Sequence, residues 1–158
     1  MSSPQTPAPG ERWTVCTLGH VHWGANGGAG LLFRHAPAAT EPKFLLSRRS
    51  RLVDEPGKWG IPGGAIRDGE SPEAAARREV QEEIASLPPH RITGSHEQDC
   101  GGGWRFVIFI ADVEEQFAAY CQRQTDATGW FTAAAAEKLE LHPGIQRWLI
   151  DNGSTPPR

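Results

Sequence analysis

The sequence has no apolar stretch approaching membrane-spanning length, no CxxC pair and no excess of basic charge. Each absence removes a class of protein. Without a long apolar run, a bilayer-spanning chain is not expected. The cysteines, Cys16, Cys100 and Cys121, are isolated and odd in number. They read as reduced thiols of an intracellular protein rather than as a disulfide framework. Sixteen Lys and Arg against nineteen Asp and Glu leave a formal charge of -3. That is not the footprint of a duplex nucleic-acid binder. The six histidines are scattered, with no HExxH or other ligand pair, and His20 and His22 alternate on a strand-like stretch. They read as ordinary residues.

What is present fits one domain. A chain of 158 residues can bury a real core, and six Trp and six Phe supply large apolar groups despite a modest apolar fraction. Residues 1–10 (MSSPQTPAPG) lack the basic start and apolar run of a signal peptide and read as a disordered lead. Residues 11–153 form the expected domain and 154–158 a flexible tail. A cytoplasmic location, as monomer or homodimer, is expected.

Strands are expected over residues 12–18, 30–35, 43–48, 104–113 and 129–132, with the apolar run at 104–113 central in the sheet. Residues 53–57 read as a loop, and helical turns are expected over 133–139. Ser71-Pro72-Glu73 is a strong helix start: a capping hydroxyl, a Pro at the first helical position and an acid in the first turn. That helix runs to about Ala85, before Pro88-Pro89. A last helix over 143–152 places Ile145, Trp148 and Leu149 on one side. The alternation of strands with two main helices implies an α/β fold, a mixed sheet with helices packed on it.

On the helix from Ser71, Ala76, Val80 and Ile84 share an apolar face, while Glu79, Glu82 and Glu83 point together away from it. Like charges at this spacing repel. A divalent cation reverses the sign, and Mg2+ prefers hard oxygen ligands together with substrate phosphates. Arg78 can reach back to Glu70 and pin the loop, or pair with Glu82. The plainer alternative is a solvated acidic helix face. The preceding WGIPGG segment, residues 59–64, favours the site reading, because its glycines let backbone approach a ligand closely.

Gly64, Glu70, Arg78, Glu79, Val80, Glu82 and Glu83 fall in the register of the Nudix box, and this segment resembles that of the Nudix (MutT-like) hydrolases. Two positions depart: Ala85 stands where the box has Gly, and Ser86 where it has a bulky apolar residue. Gly129-Trp130-Phe131 and Leu141-His142-Pro143-Gly144 are similar to the family's C-terminal region.

The resemblance implies a three-layer α/β/α sandwich around a central mixed sheet. It also implies hydrolysis, dependent on Mg2+ with Mn2+ as a substitute, of a diphosphate linkage in a nucleoside diphosphate-X compound. That compound is a nucleoside triphosphate, ADP-ribose or a nucleotide sugar. By resemblance, Glu82 and Glu83 are metal ligands, and Glu79 is a further ligand or the base. The Gly64 carbonyl supplies one more oxygen, and Gly63 gives close approach. Glu70 and Arg78 support the box. Arg49, or its neighbour Arg48, binds phosphate, with Arg49 matching the family's Leu-Leu-x-x-Arg pattern. A further loop acid is sought among Glu97, Asp99, Glu114, Glu115 and Asp126. Trp13, Trp23, Trp59, Trp104 and Trp130 are either base-stacking surfaces or packing. Coenzyme A diphosphate cleavage and a catalytically idle nucleotide-binding domain are the alternatives. Asp54 and Ile61 depart from the coenzyme A signature.

Overall fold

The computed structural model describes residues 6–50, 57–85, 87–121 and 125–152. Residues 53–56 of the expected loop at 53–57, the tail at 154–158, the first five residues and Ser86 lie outside them. Along the chain run β1 (Trp13–Val15), β2 (Val21–Trp23), β3 (Gly28–His35), β4 (Lys43–Arg49), β5 (Trp59–Gly60) and β6 (Gly63–Ala65). Then come α1 (Pro72–Ile84), β7 (Arg91–Asp99), β8 (Arg105–Asp112), β9 (Thr125–Thr132), α2 (Ala133–Ala136) and α3 (Pro143–Asn152).

The main sheet has the order β5-β4-β3-β8-β7, with β6 also pairing β3 and β9 also pairing β4. β3 and β8 are parallel and the other pairs antiparallel, so the sheet is mixed. Period-two alternation divides the core into two layers. From β3, Ala29, Leu31 and Phe33 meet Ala76, Val80 and Ile84 of α1. Leu32, with Phe44 and Leu46 of β4, meets Ile145, Trp148 and Leu149 of α3 on the opposite face. This is the expected α/β/α sandwich, and β8 is internal as its apolar run requires.

The element that positions the site is α1. Ser71 caps it, accepting from the Ala74 N–H at 3.1 Å, and Pro72 opens the first turn. Glu73 and Arg77 pair along the exposed side at 2.8 Å. The helix ends on Ala85 in the left-handed region (φ 51°). That is where the box has Gly, and an alanine there costs on the order of 1 kcal/mol.

Several elements differ from expectation. The strand expected at 12–18 is limited to β1. A turn at Gly19 (φ 83°) follows, and β2 completes a two-stranded sheet separate from the main one. β7 was not expected at all, because Arg91–Asp99 is a polar edge strand with almost no buried position. β9 begins at Thr125 rather than 129, since Thr125 to Thr128 carry no apolar pattern of their own. Residues 8–10, assigned to the lead, are tied to the domain. Asp68 N–H donates to the Pro9 carbonyl (2.8 Å), Ala25 N–H to the Gly10 carbonyl (2.9 Å), and Gly10 is buried. Among the described residues no helix is long and apolar enough to cross a membrane.

Candidate active site

The antiparallel register of β3 and β6 sets Gly28, Ala29 and Gly30 against Ala65, Gly64 and Gly63. The two backbones approach so closely that a β-carbon on Gly63 would lie 2.5 Å from the Ala29 carbonyl oxygen. Only glycine fits. The ladder bonds Leu31 N–H to the Pro62 carbonyl (3.1 Å) and Ile66 N–H to the Gly27 carbonyl (3.0 Å). By alternation, Gly64 and Ala29 form the hydrogen-bonded pair between them. Gly63 is out of phase and turns its N–H away from β3, donating to Glu83 Oε2 at 3.3 Å.

Helix α1 packs across this turn and presents its acids to it. A β-carbon on Gly64 would meet the Glu79 carboxylate at 2.5 Å, so Glu79 rests directly on the glycine. Arg78 organises the base of the site. Nε donates to Glu70 Oε2 (2.8 Å), and Nη2 donates to both Glu70 Oε1 and the Ala65 carbonyl (each 2.9 Å). Nη1 reaches Glu79 Oε1 at 2.8 Å and Glu82 Oε2 at 3.4 Å. Both pairings open from the sequence, Arg78 with Glu70 and with Glu82, are therefore made at once.

The acids differ in electrostatics. Glu70 lies below the usual carboxylate range, chiefly because Arg78 bonds its ionised form and the Arg67 N–H adds another bond. Glu79 is raised: burial outweighs the attraction of Arg78. Glu83 is pushed up to about 8, first by burial and then by the nearby Glu79 charge, against the Gly63 N–H and Arg49. A carboxylate this short of compensation fits a cation.

These groups line a cavity of about 1100 Å³. Glu79, Glu82, Glu83, Gly63, Gly64 and Arg49 all face it. Arg48 does not. It turns to Asp126 (2.7 Å) and lies 5.8 Å over the Trp59 ring. Trp23, Trp104 and Phe106 form an aromatic wall. Gln98 and Gly144 also line it, and Gln98 Nε2 donates to the Gly144 carbonyl at 2.7 Å, joining edge strand β7 to the start of α3. Of the loop acids, Asp99 lines the cavity, its carboxylate accepting from the Gly101 N–H (2.7 Å). Glu97 pairs with Arg105 on the exposed edge, and Glu114 and Glu115 are exposed beyond β8. Trp13 lies edge-on to Trp23, and Trp130 binds the Phe117 carbonyl through its indole N–H.

Sequence reasoning missed Glu11 and Arg67. Both line the cavity, and Arg67 Nε bonds Glu11 Oε1 at 2.9 Å while its Nη2 lies 3.6 Å from Glu82 Oε1. Glu11 stands at the edge of a stretch read as disordered, and nothing local marks it. The reading of the cysteines and histidines as isolated is also corrected. The fold brings Cys16, His20, His22 and Cys100 together, with their donor atoms within 4.8 Å of one another.

Comparisons with known proteins agree with the geometry. The NUDIX domain family model matches residues 34–151. A putative 8-oxo-dGTP diphosphatase 3 of Mycobacterium tuberculosis is 34% identical over 150 residues, covering 90% of this chain and 69% of its own. The crystal structure of the Nudix hydrolase RenU from M. smegmatis superposes with a TM-score of 0.79 at 29% identity, over 94% of this chain and 99% of that one. A C. elegans Ap4A hydrolase shares the fold, with a TM-score of 0.65 at 20% identity over 78% of this chain and 93% of its own. Motif register, α/β/α architecture and these likenesses together place the chain in the Nudix family, as a hydrolase of a diphosphate linkage in a nucleotide-like small molecule.

Proposed function

We propose that the chain is a cytoplasmic, Mg2+-dependent pyrophosphohydrolase of nucleoside triphosphates, with Glu79, Glu82 and Glu83 holding the cation. The observation that carries this reading is the desolvated Glu83 carboxylate, raised to about 8, beside two more acids on the wall of a nucleotide-sized cavity. The donor set is all hard oxygen, which suits Mg2+, with Mn2+ as a substitute. Bound there, the cation would offset the charge of the diphosphate and lower the pKa of the attacking water.

The chain's own groups have separate tasks. Glu70 and Arg78 fix the turn that carries Gly63 and Gly64. The backbone oxygen we assign to the site is that of Gly63 rather than Gly64, because the ladder turns the Gly64 carbonyl into β3. Arg49, on the same cavity, suits a phosphate oxygen through its planar fork, and Arg48 is occupied with Asp126. Trp104 and Phe106 offer a surface for the base.

A triphosphate substrate is supported by the likeness to a protein named as a putative 8-oxo-dGTP diphosphatase. A net charge of -3 argues against duplex nucleic acid as a partner. The test is a panel of 8-oxo-dGTP, dGTP, ADP-ribose, a nucleotide sugar and coenzyme A with Mg2+, scored by product. Release of a nucleoside monophosphate and pyrophosphate from the triphosphates, at the highest kcat/KM of the panel, is expected. Preference for ADP-ribose or coenzyme A would overturn the triphosphate assignment.

A further inference from the structure

We propose a second metal site, distinct from the carboxylate cluster: a structural Zn2+ held by Cys16, His20, His22 and Cys100. The four donor atoms lie within 4.8 Å of one another. Tetrahedral Zn–S and Zn–N bonds of about 2.3 and 2.0 Å place ligand atoms roughly 3.3–3.8 Å apart, so the cluster closes on an ion by about an ångström. Two sulfurs and two imidazoles are a soft and borderline donor set. They select zinc and disfavour the hard Mg2+ proposed for the carboxylates.

Two further features point to a ligand. His22 Nε2 is buried and, among the described residues, has no hydrogen-bond partner. Its ring is held in place by stacking on Trp104, with centroids 4.4 Å apart and planes 4° from parallel. The sulfurs sit in two interlocked turns. Cys16 N–H bonds the His20 carbonyl (3.0 Å) in the hairpin turn, and Thr17 N–H crosses to the Gly102 carbonyl (3.0 Å) in the β7–β8 turn. Gly102 N–H lies 3.3 Å from Cys100 Sγ, the kind of backbone donation that supports a thiolate ligand. A β-carbon at Gly102 would lie 2.6 Å from Cys16 Sγ, so glycine is required for the two turns to meet.

The fold gives the ion a task. β1 and β2 form a two-stranded sheet separate from the main one, with Trp13, Val15, Leu18 and Val21 exposed. An isolated hairpin of this size is marginal in water. Yet Val21, His22 and Trp23 line the catalytic cavity. With four protein ligands and no open position, the zinc is structural: it staples the hairpin to the β7–β8 turn and fixes that wall. Binding deprotonates both thiols, and the two protons pass to solvent.

The test uses the full chain purified without added chelator, assayed by elemental analysis and by Co2+ substitution. One zinc per chain is expected, together with tetrahedral d–d bands and thiolate-to-cobalt charge transfer on exchange. Cys16→Ser and Cys100→Ser should bring zinc to near zero. Cys121→Ser, at an exposed cysteine outside the cluster, and Glu83→Gln should keep it in full. Folded wild type that takes up neither zinc nor cobalt under reducing conditions overturns the proposal. So does a Cys16–Cys100 disulfide in protein alkylated without reductant, or zinc that survives both cysteine substitutions. If a cysteine variant fails to fold, the cobalt spectrum of the wild type decides alone.

Discussion

Arg78 and Glu70 meet as two parallel forks, Nε to Oε2 at 2.8 Å and Nη2 to Oε1 at 2.9 Å, with both side chains about one-sixth exposed. This is the charge-assisted, bidentate form of an ion pair, well above an ordinary surface bridge in strength. Because Nη2 also holds the Ala65 carbonyl, the pair fastens the β6 turn to α1.

Arg78→Ala should therefore act on geometry rather than on substrate. It strands Glu70 and frees the Ala65 carbonyl, at a cost of about 2 kcal/mol. Mg2+ affinity should fall together with the thermal midpoint, and Arg78→Lys should restore little, since an ammonium cannot reproduce the fork. Calorimetric Mg2+ titration and thermal melts check this. A variant with wild-type Mg2+ affinity and only a raised KM would place Arg78 on the substrate instead.

Gly64→Ala should separate stability from activity. Its new methyl would meet the Glu79 carboxylate at 2.5 Å. That carboxylate is the end of a side chain, so it can swing aside, giving up its bond to Arg78 at a cost of about 1–2 kcal/mol. The catalytic cost is larger, because a displacement of about an ångström in a positioned group costs on the order of 100-fold. Melting curves and kcat for the single variant suffice. An active Gly64→Ala enzyme would mean that Glu79 need not rest on the turn.

Glu83 gives the metal-free protein a pH dependence with a definite sign. Its carboxyl is raised from 4.5 to about 8, so between these values the folded state holds a proton that the unfolded state has released. Stability from this group is fully present below pH about 4.5 and is lost as pH rises through about 8. Glu79 is shifted the same way. Glu70, Glu11 and Asp112 are lowered, so their contribution is lost only under acid conditions below this window. In chelator, the thermal midpoint should decline from pH 5.5 to 8.5. Mg2+ should flatten the decline by favouring the ionised form, with proton release on binding. A midpoint that rises over this range in chelator would contradict the assignment.

Much of this was legible in the sequence, for reasons that particular residues make plain. Ser71-Pro72 and the period of Ala76, Val80 and Ile84 located α1 because cap and packing are local signals. The acids followed from the same helix geometry. β7 was hidden because an edge strand with solvent on its faces has no apolar period to read. Glu11 meets Arg67 across fifty-six residues, and Cys100 meets Cys16 across eighty-four, so neither encounter leaves a local mark. The separation of Arg49 from Arg48 was readable as strand alternation. Which of the two faces the cavity depended on the sheet being in place.

Glu83→Gln should lose most turnover while the protein remains folded. The carboxylate is desolvated and repelled by Glu79, and among the described residues the long Gly63 N–H bond and the field of Arg49 compensate it. Replacing it by the amide keeps the shape and removes a charge that costs stability when no cation is present. The thermal midpoint in chelator should therefore be equal or higher at pH 8. With Mg2+ the order reverses. Wild type gains stability from binding and the variant gains little, because the amide lacks the charge that holds the ion. If the lost ligand removes about 3 kcal/mol of charge stabilisation from the transition state, kcat falls by roughly 100-fold or more. Glu73→Gln is the matched control on the same helix. Among the described residues Glu73 pairs only with Arg77, on the exposed side, so its loss costs a few tenths of a kcal/mol and leaves turnover unchanged. The measurements are kcat and thermal midpoint for both variants, each with chelator and with Mg2+. A Glu83→Gln enzyme that turns over normally and still responds to Mg2+ would remove this residue from the metal site and leave Glu79 and Glu82 to hold the ion alone.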